Sequence, residues 1–322
     1  MSQNVWCAAR WRFHRPLAFA GLALGLMSAW GCEAEKPAAA TAKAGGSPEV
    51  YTTFYPTTYF TQRIAGDKVN VACPCPAGTD PAYWMPDEKT IQAYQQADLI
   101  IINGASFEKW PGKAMLPPTR VVDTAKPLAD EFIVLKDAVK HTHGPAGSHT
   151  HEGVDGHTWL DPVNAKTQAS EIKKALIERF PKHKDAFEKG YAALATDLDA
   201  LDASLKALSA KLGDQVLLNS HPAYNYLARR YGWKVKYFHL DPTEMPSDAT
   251  FAKVKASVEQ THAKIMLWES EPTEDIAARF AALGLKNVVF SPCEGLDAEE
   301  LRSGKDFMSV MRDNISRLGK SL

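Results

Sequence analysis

The strongest constraint on the fold is a run of apolar residues spaced alternately four and three positions apart. The run comprises Phe187, Tyr191, Leu194, Leu198, Leu201, Leu205, Leu208 and Leu212. Only a helix places residues with this spacing on one face, and Gly213 is typical of the position that follows a helix. A helix over residues 183–212 would extend about 45 Å, which is the length of a whole domain.

This apolar stripe is compatible with two arrangements. One is a coiled-coil dimer, and the other is a single helix that packs across two parts of the same chain. We favour the single connecting helix because the pattern stops after about four heptads. We therefore expect a monomer.

Short β-rich runs separated by helical patterns occur on both sides of this helix. They cover residues 50–55, 69–72, 99–103, 121–123, 216–219, 235–238, 265–268 and 288–290. Strands that alternate with helices are typical of βαβ units with parallel strands. We predict an α/β protein with two lobes, at 49–181 and 214–322, joined by a long rigid helix at 182–213. Each lobe would contain a parallel four-stranded sheet with flanking helices.

The N-terminus has the features of a bacterial export signal. Three arginines within residues 10–15 precede an apolar run that ends at Cys32. That run has about 14 residues, fewer than the roughly 20 that a membrane-spanning helix needs. We predict a signal peptide at 1–32 with a lipoprotein-like cleavage site, lipidation of Cys32, and a flexible tether at 33–48. Ordinary signal cleavage nearby is the alternative, and both place the protein outside the cytoplasm, in the periplasm or at the cell surface.

Three cysteines remain beyond the predicted lipidation site, namely Cys73, Cys75 and Cys293. In an oxidising compartment, one disulfide and one free thiol is the simplest outcome for an odd number. A bridge across a single residue strains the geometry, so we predict a disulfide from Cys293 to Cys73 or Cys75. The alternative is that these thiols stay reduced and bind a metal ion.

A histidine-rich segment lies at residues 139–155. It contains His141, His143, His149 and His151. Its neighbours are rich in Gly and Pro, so we expect a mobile loop without regular structure. Neutral imidazole is the commonest metal ligand in proteins, which makes this loop an auxiliary metal collector; the alternative is a loop that only adds solubility.

Two further histidines stand where predicted helices begin. His157 precedes Asp161, a good N-cap, and Pro162, a good first helical residue. His221 follows the apolar run at 216–218. The positive end of a helix dipole disfavours imidazolium, which predicts neutral rings that can bind metal. Their spacing alone is weak evidence for one shared site, because no HExxH motif is present.

Longer segments carry a family resemblance. They are GDKVNVACPCPAGTDPAYWMPDEKTIQAYQQADLIIINGASFEKW, HTWLDPVNA, NSHPAYNYLARRYGWKV and FMSVMRDNISRL. In this order they closely resemble the zinc- and manganese-binding solute-binding proteins of ABC importers, and a His-rich loop before HTWLDP is a feature of the zinc-binding branch. The resemblance implies a metal cleft between two α/β lobes, with a membrane permease and its ATPase as partners.

The resemblance also implies a set of ligands. His157 and His221 match the second and third family ligands. The first family ligand is a histidine, but Ala82 stands at its position here, and Ser291 stands about where the family usually has an aspartate. Two of the four expected ligands are therefore absent.

Other side chains must substitute for them. Glu269 and Glu271 are the first candidates, because they follow a predicted parallel strand whose carboxyl end should face the cleft. The remaining candidates are Glu294, Asp241 and His239, and the three thiols. Thiolates bind Zn²⁺ strongly, although an oxidising compartment favours their pairing.

These features predict a binding protein that captures a divalent transition metal and delivers it to a permease. We favour Zn²⁺ over Mn²⁺ because two imidazoles and a His-rich loop suit a borderline-soft ion.

A metal buffer or chaperone without a permease is one alternative function. A metallohydrolase is another, but it would need an open coordination position and a general base, and no hydrolase motif is present. A formal net charge of -1 and no basic stripe argue against nucleic acid as a partner.

Overall fold

The computed structural model describes residues 48–142 and 148–322, and for 136–142 and 148–152 it describes the backbone alone. The predicted signal peptide, the lipidation site Cys32 and His143 lie outside the described residues, as does the predicted tether up to residue 47. The chain from residue 46 onward forms one compact unit.

The first four strands form a parallel sheet in the order β2-β1-β3-β4. The strands are β1 (Glu49–Thr52), β2 (Asn70–Ala72), β3 (Leu99–Ile102) and β4 (Val121–Asp123). Helix α1 (Tyr55–Ala65) follows β1, and α2 (Glu88–Gln96) precedes β3. Asp87 caps α2 by accepting a hydrogen bond from the backbone N–H of Thr90. The predicted parallel arrangement is confirmed.

The histidine-rich segment contains regular structure. Strands β5 (Val134–Thr142) and β6 (Ser148–Val154) pair antiparallel, with His141 opposite His149 and Val139 opposite His151. The expectation of a loop over this segment is therefore wrong for its described residues. β-branched Val and Thr recur along both strands and favour extended backbone, while the glycines and proline that suggested a loop are concentrated at 144–147, outside the described residues.

The predicted long helix is present. After α3 (Pro162–Arg179), helix α4 runs over Lys184–Leu212 and ends at Gly213, which has a φ of +58°. Its apolar stripe is buried within the same chain, since α4 packs on α1, α3, α5 (Asn225–Tyr231) and α9 (Phe307–Ser321). This agrees with the single connecting helix rather than with a coiled coil between two chains.

The second parallel sheet has the order β10-β9-β7-β8. Its strands are β7 (Val216–Asn219), β8 (Lys234–Tyr237), β9 (Ile265–Trp268) and β10 (Lys286–Val289). The remaining helices are α6 (Asp248–Thr261), α7 (Glu274–Ala281) and α8 (Ala298–Arg302). Within the residues that the structure describes, no helix is long and apolar enough to cross a membrane.

One hydrophobic core joins the two sheets through α4. The same cluster contains Val50 and Ile101 from the first sheet, Leu198 from α4, and Leu217 and Leu267 from the second sheet. Full burial of each such aliphatic side chain stabilises the fold by about 1.5–3 kcal/mol. Because the core is continuous, the loops at the strand ends of both sheets are held at fixed positions.

Candidate metal site

A cavity of about 410 Å³ is lined by loops from both halves of the chain. Its carboxyl, ammonium and imidazole side chains are those of Asp80, Lys109, Asp155, His157, His221, Asp241, Glu269 and Glu294. Several of these residues follow the carboxyl ends of parallel strands, where ligand sites of open α/β sheets form. Five carboxylates against one lysine make the cavity suitable for a cation.

His157 is held in the cavity from both ring nitrogens. Its Nδ1 lies 2.7 Å from Oδ1 of Asp155, and its Nε2 lies 3.1 Å from Oε1 of Glu294. The ring packs edge-on against Phe107 and lies 5.3 Å, between centroids, from Trp159. These contacts fix the ring plane, so Nε2 is aimed into the cleft.

Asp155 is the residue that orients His157. It is 1% exposed, and its Oδ1 also accepts the backbone N–H of His157. Its Oδ2 accepts a hydrogen bond from Asn225, and its carbonyl accepts one from the hydroxyl of Tyr226. Asp155 was not among the residues predicted from the sequence. The pattern that could have indicated it is an aspartate two residues before a candidate histidine ligand.

The carboxylates around His157 favour the charged form of its ring. Burial lowers its pKa, but the carboxylates of Asp155 and Glu294 outweigh burial and raise the pKa to about 10. Two carboxylates in direct contact thus oppose the effect of the helix end on which the expectation of a neutral ring was based, and that expectation stays a prediction. The surroundings of this ring stabilise positive charge.

His221 lies in the same cavity as His157. It follows β7 and precedes a short 3₁₀ turn at Pro222–Tyr224, so it stands at a strand-to-helix junction as predicted. The two ring centroids are 6.0 Å apart, and the ring of His239 lies 6.3 Å beyond that of His221. The structure thus brings together two histidines that are far apart in the sequence.

Glu269 and Glu294 concentrate negative charge beside these rings. Burial and the neighbouring Glu294 raise the pKa of Glu269 to about 8; His157 opposes this shift, and Asp80 and Asp241 add to it. Such mutual repulsion among carboxylates is relieved by a bound cation. Glu271, in contrast, is exposed and does not line the cavity.

The structure also shows the surroundings of Ala82 and Ser291, the two positions where the resemblance implied other ligands. Ala82 lines the cavity, and its methyl group cannot coordinate a metal. Ser291 is engaged elsewhere, because its backbone N–H and C=O bond Asn314 and its hydroxyl accepts the N–H of Cys293. Glu294, three residues after Ser291 in the same loop, lines the cavity.

Among the side chains that the structure describes, at 48–135 and 153–322, no group of three or more His, Cys, Asp or Glu stands in a metal-holding arrangement. His157 and Glu294 are instead bonded to each other. The predicted Cys73–Cys293 disulfide is likewise not present, since Cys73, Cys75 and Cys293 are free thiols. Cys293 is buried in the main core, whereas Cys73 and Cys75 line a separate cavity. The loops after β2 and β10 therefore do not bring these side chains together.

A family comparison agrees with the fold. Residues 50–321 match the family described as zinc-uptake complex component A, periplasmic. The chain belongs to this family. Its description is that of a transport component, which agrees at the family level with the expectation of a protein that is not an enzyme.

Individual relatives carry related names. The chain is 32% identical to the zinc-binding lipoprotein AdcA of Streptococcus pneumoniae over 282 residues, covering 86% of this chain and 56% of AdcA. It is 30% identical to the high-affinity zinc uptake system protein ZnuA of Bacillus subtilis over 292 residues, covering 86% and 88%. The chain therefore spans little more than half the length of AdcA.

Solved structures support the fold. The metal-dependent lipoprotein YcdH of Bacillus subtilis superposes with a TM-score of 0.74 at 28% identity, covering 85% of this chain and 99% of that one. The Zn(II)-bound ZnuA-like domain of Streptococcus pneumoniae AdcA gives 0.73 at 28% identity, covering 86% and 99%. The architecture predicted from the sequence is therefore confirmed.

Proposed function

We propose that this chain is the metal-capturing component of an ABC importer and that its cargo is Zn²⁺. The observation that carries this proposal is the cavity in which His157 and His221 lie beside Glu294 within the fold of a zinc-uptake family. The names of the relatives support zinc as the metal. Two imidazoles also suit a borderline-soft ion better than a hard one such as Mn²⁺.

Four side chains would hold the ion. His157 supplies Nε2, His221 supplies its imidazole, and Glu294 and Glu269 supply carboxylate oxygens. Zn²⁺ in proteins is four-coordinate with nitrogen, sulfur and carboxylate ligands, and this set replaces the ligands absent at Ala82 and Ser291. Glu271, named with Glu269 from the sequence, has no part in it.

Asp155 and the charge of the cavity complete the site. By accepting the Nδ1 proton of His157, Asp155 keeps the other ring nitrogen directed at the metal, as is usual for metal-bound histidine. Binding of Zn²⁺ requires His157 to give up its Nε2 proton to solvent. The cation then takes over the role of the proton in offsetting the surrounding carboxylates.

The remaining parts of the proposal concern location and partners. Relatives described as lipoproteins support export and anchoring through Cys32, with delivery of Zn²⁺ to a permease and its ATPase in the membrane. The histidine-rich segment, with His141, His143, His149 and His151, would collect metal weakly as an auxiliary site. We infer a monomer, because the apolar stripe of α4 is already buried.

Calorimetry on the metal-free full chain tests the proposal. We expect one tight equivalent of Zn²⁺ and weaker Mn²⁺ binding, with His157→Ala and His221→Ala each lowering Zn²⁺ affinity at least about tenfold, because each removes one metal bond. His262→Ala is the matched control, since His262 is an exposed histidine at the end of α6. Unchanged affinity in both cleft variants would refute the assignment.

A further inference from the structure

Two thiols line a second cavity beside the metal cleft. This cavity, of about 180 Å³, is bordered by both Cys73 and Cys75. Gly78 and Glu294 border it as well, and both residues also line the main cleft. The two cysteines flank a single proline in the loop that follows β2, so the backbone holds them as a pair.

Polar groups lie near the Cys73 sulfur. Burial raises the pKa of this thiol, while the hydroxyls of Thr58 and Thr52 and the backbone N–H of Cys75 oppose the shift. The two threonine hydroxyls are 2.6 Å apart and buried. Each hydroxyl also donates to a backbone carbonyl, so both side chains are held in place.

The two sulfurs are close enough for their charges to interact. Burial raises the pKa of Cys75 to about 12, and the neighbouring Cys73 and Asp80 add to this effect. Burial likewise raises the pKa of Cys73. Both thiols are therefore protonated in the metal-free protein, and a cation bound between them would remove the repulsion that opposes their ionisation.

We propose that Cys73 and Cys75 form a dithiol site for a soft monovalent metal ion of the copper(I) class. Thiolates select such ions. Much of the remaining wall is apolar, including Phe54, Pro81 and Leu296. Such a wall suits an ion of low charge that needs few ligands, whereas Zn²⁺ requires about four. The site does not depend on Zn²⁺ binding in the main cleft.

Binding of Cu(I) to the two thiols releases protons and transfers no electrons. Two S–H bonds break, their protons pass to solvent, and two S–Cu bonds form while copper stays in the +1 state. The affinity therefore rises with pH, because metal ions compete with protons for the thiolates.

Competitive titration tests the site. The metal-free full chain is titrated under anaerobic conditions with Cu(I) buffered by bicinchoninate, and ultraviolet thiolate-to-copper absorption is recorded. We expect one equivalent, and binding at least about 100-fold weaker in Cys73→Ser and Cys75→Ser, because each loses one of two thiolates. Zn²⁺ affinity should be unchanged in these variants, and Cu(I) binding should be unchanged in His157→Ala. Loss of Cu(I) binding in His157→Ala with retention in the serine variants would overturn the proposal.

A second measurement uses the unmutated protein and avoids any folding defect. Cu(I) should protect Cys73 and Cys75 from alkylation by iodoacetamide, as read by mass spectrometry of the digested protein, and Ag⁺ should protect the same pair. Equal alkylation of both thiols with and without Cu(I) would overturn the dithiol site, whatever the outcome for Zn²⁺.

Discussion

Nε2 of His157 lies 3.1 Å from Oε1 of Glu294, although the two residues are 137 positions apart in the chain. The contact joins the loop after β6 to the loop after β10, and therefore the two halves of the cleft. A second bond supports it, since Nε1 of Trp159 donates to the carbonyl of Pro292 at 2.8 Å. His157 and Glu294 thus face each other in a fixed geometry, which is why we propose Glu294 as a metal ligand.

Removing the negative charge of Glu294 should weaken metal binding. We expect Glu294→Gln to lower Zn²⁺ affinity at least about tenfold, because an amide is a poorer zinc ligand than a carboxylate. Glu271→Gln is the matched control, since Glu271 lies close in sequence to the site but is exposed. Calorimetry measures the Zn²⁺ affinity of both variants. A larger loss of affinity in Glu271→Gln than in Glu294→Gln would contradict this assignment and favour Glu271 as the ligand, as predicted from the sequence.

Asp155 should matter without touching the metal. Asp155→Asn replaces the acceptor for Nδ1 of His157, and changes at such supporting positions typically cost about 10–100-fold in metal affinity. Asp130→Asn, at an exposed aspartate, should leave the affinity unchanged. The imidazole ¹⁵N shifts of His157 should show a changed tautomer in Asp155→Asn; wild-type shifts and affinity would contradict the orienting role.

A histidine at position 82 should strengthen binding. Ala82 lines the cavity, so Ala82→His offers an additional imidazole there, at the position that the resemblance implies for the first family ligand. We expect a rise in Zn²⁺ affinity of at least about tenfold from the added bond. Ala82→Leu is the control for bulk and should not raise affinity. An unchanged or lower affinity in Ala82→His would show that position 82 cannot reach the ion.

The metal-free protein should lose stability as pH rises. The pKa of His157 is about 10 in the folded protein against an ordinary 6.5. Since the folded state binds this proton more tightly, the contribution is complete below pH 6.5 and is lost as pH rises towards 10. The raised pKa of Glu269 acts in the same direction between its ordinary 4.5 and about 8. Thermal unfolding should therefore show a falling midpoint over this range, and a flatter profile in His157→Gln. Identical slopes in both proteins would contradict this.

The helix that joins the halves should be a main source of stability. Leu198 is completely buried in α4 and contacts the common core. We expect Leu198→Ala to reduce the free energy of unfolding by about 2–5 kcal/mol. Asp199→Ala, at the adjacent exposed position, should change it by less than about 1 kcal/mol. Urea unfolding measures both, and a small effect at Leu198 would argue against a continuous core.

Much of the fold followed from the sequence because it depends on periodic patterns. Three predicted strands, at 121–123, 216–219 and 265–268, have the bounds found in the structure. The first strand, predicted at 50–55, ends three residues earlier, at Thr52; the prediction extended it because Phe54 and Tyr55 are types common in strands. Pro56 instead places the start of α1 at Tyr55.

The site was less predictable because its side chains come from irregular loops. Glu269 was found because it directly follows β9, but two residues later the chain has turned Glu271 to solvent. Glu294 was only a secondary candidate, since its position depends on a loop in which Cys293 has a φ of +59°. No periodic pattern encodes such a turn, and the burial of Asp155 behind His157 is likewise a property of the folded chain.

The most direct test of the cleft assignment is a crystal structure of the protein with Zn²⁺, with anomalous data collected on both sides of the zinc absorption edge. We predict one strong zinc peak in the cleft, within coordination distance of Nε2 of His157, an imidazole nitrogen of His221 and a carboxylate oxygen of Glu294, at about 2.0–2.2 Å. A fully occupied zinc peak elsewhere, with the bond between His157 and Glu294 intact, would contradict the account.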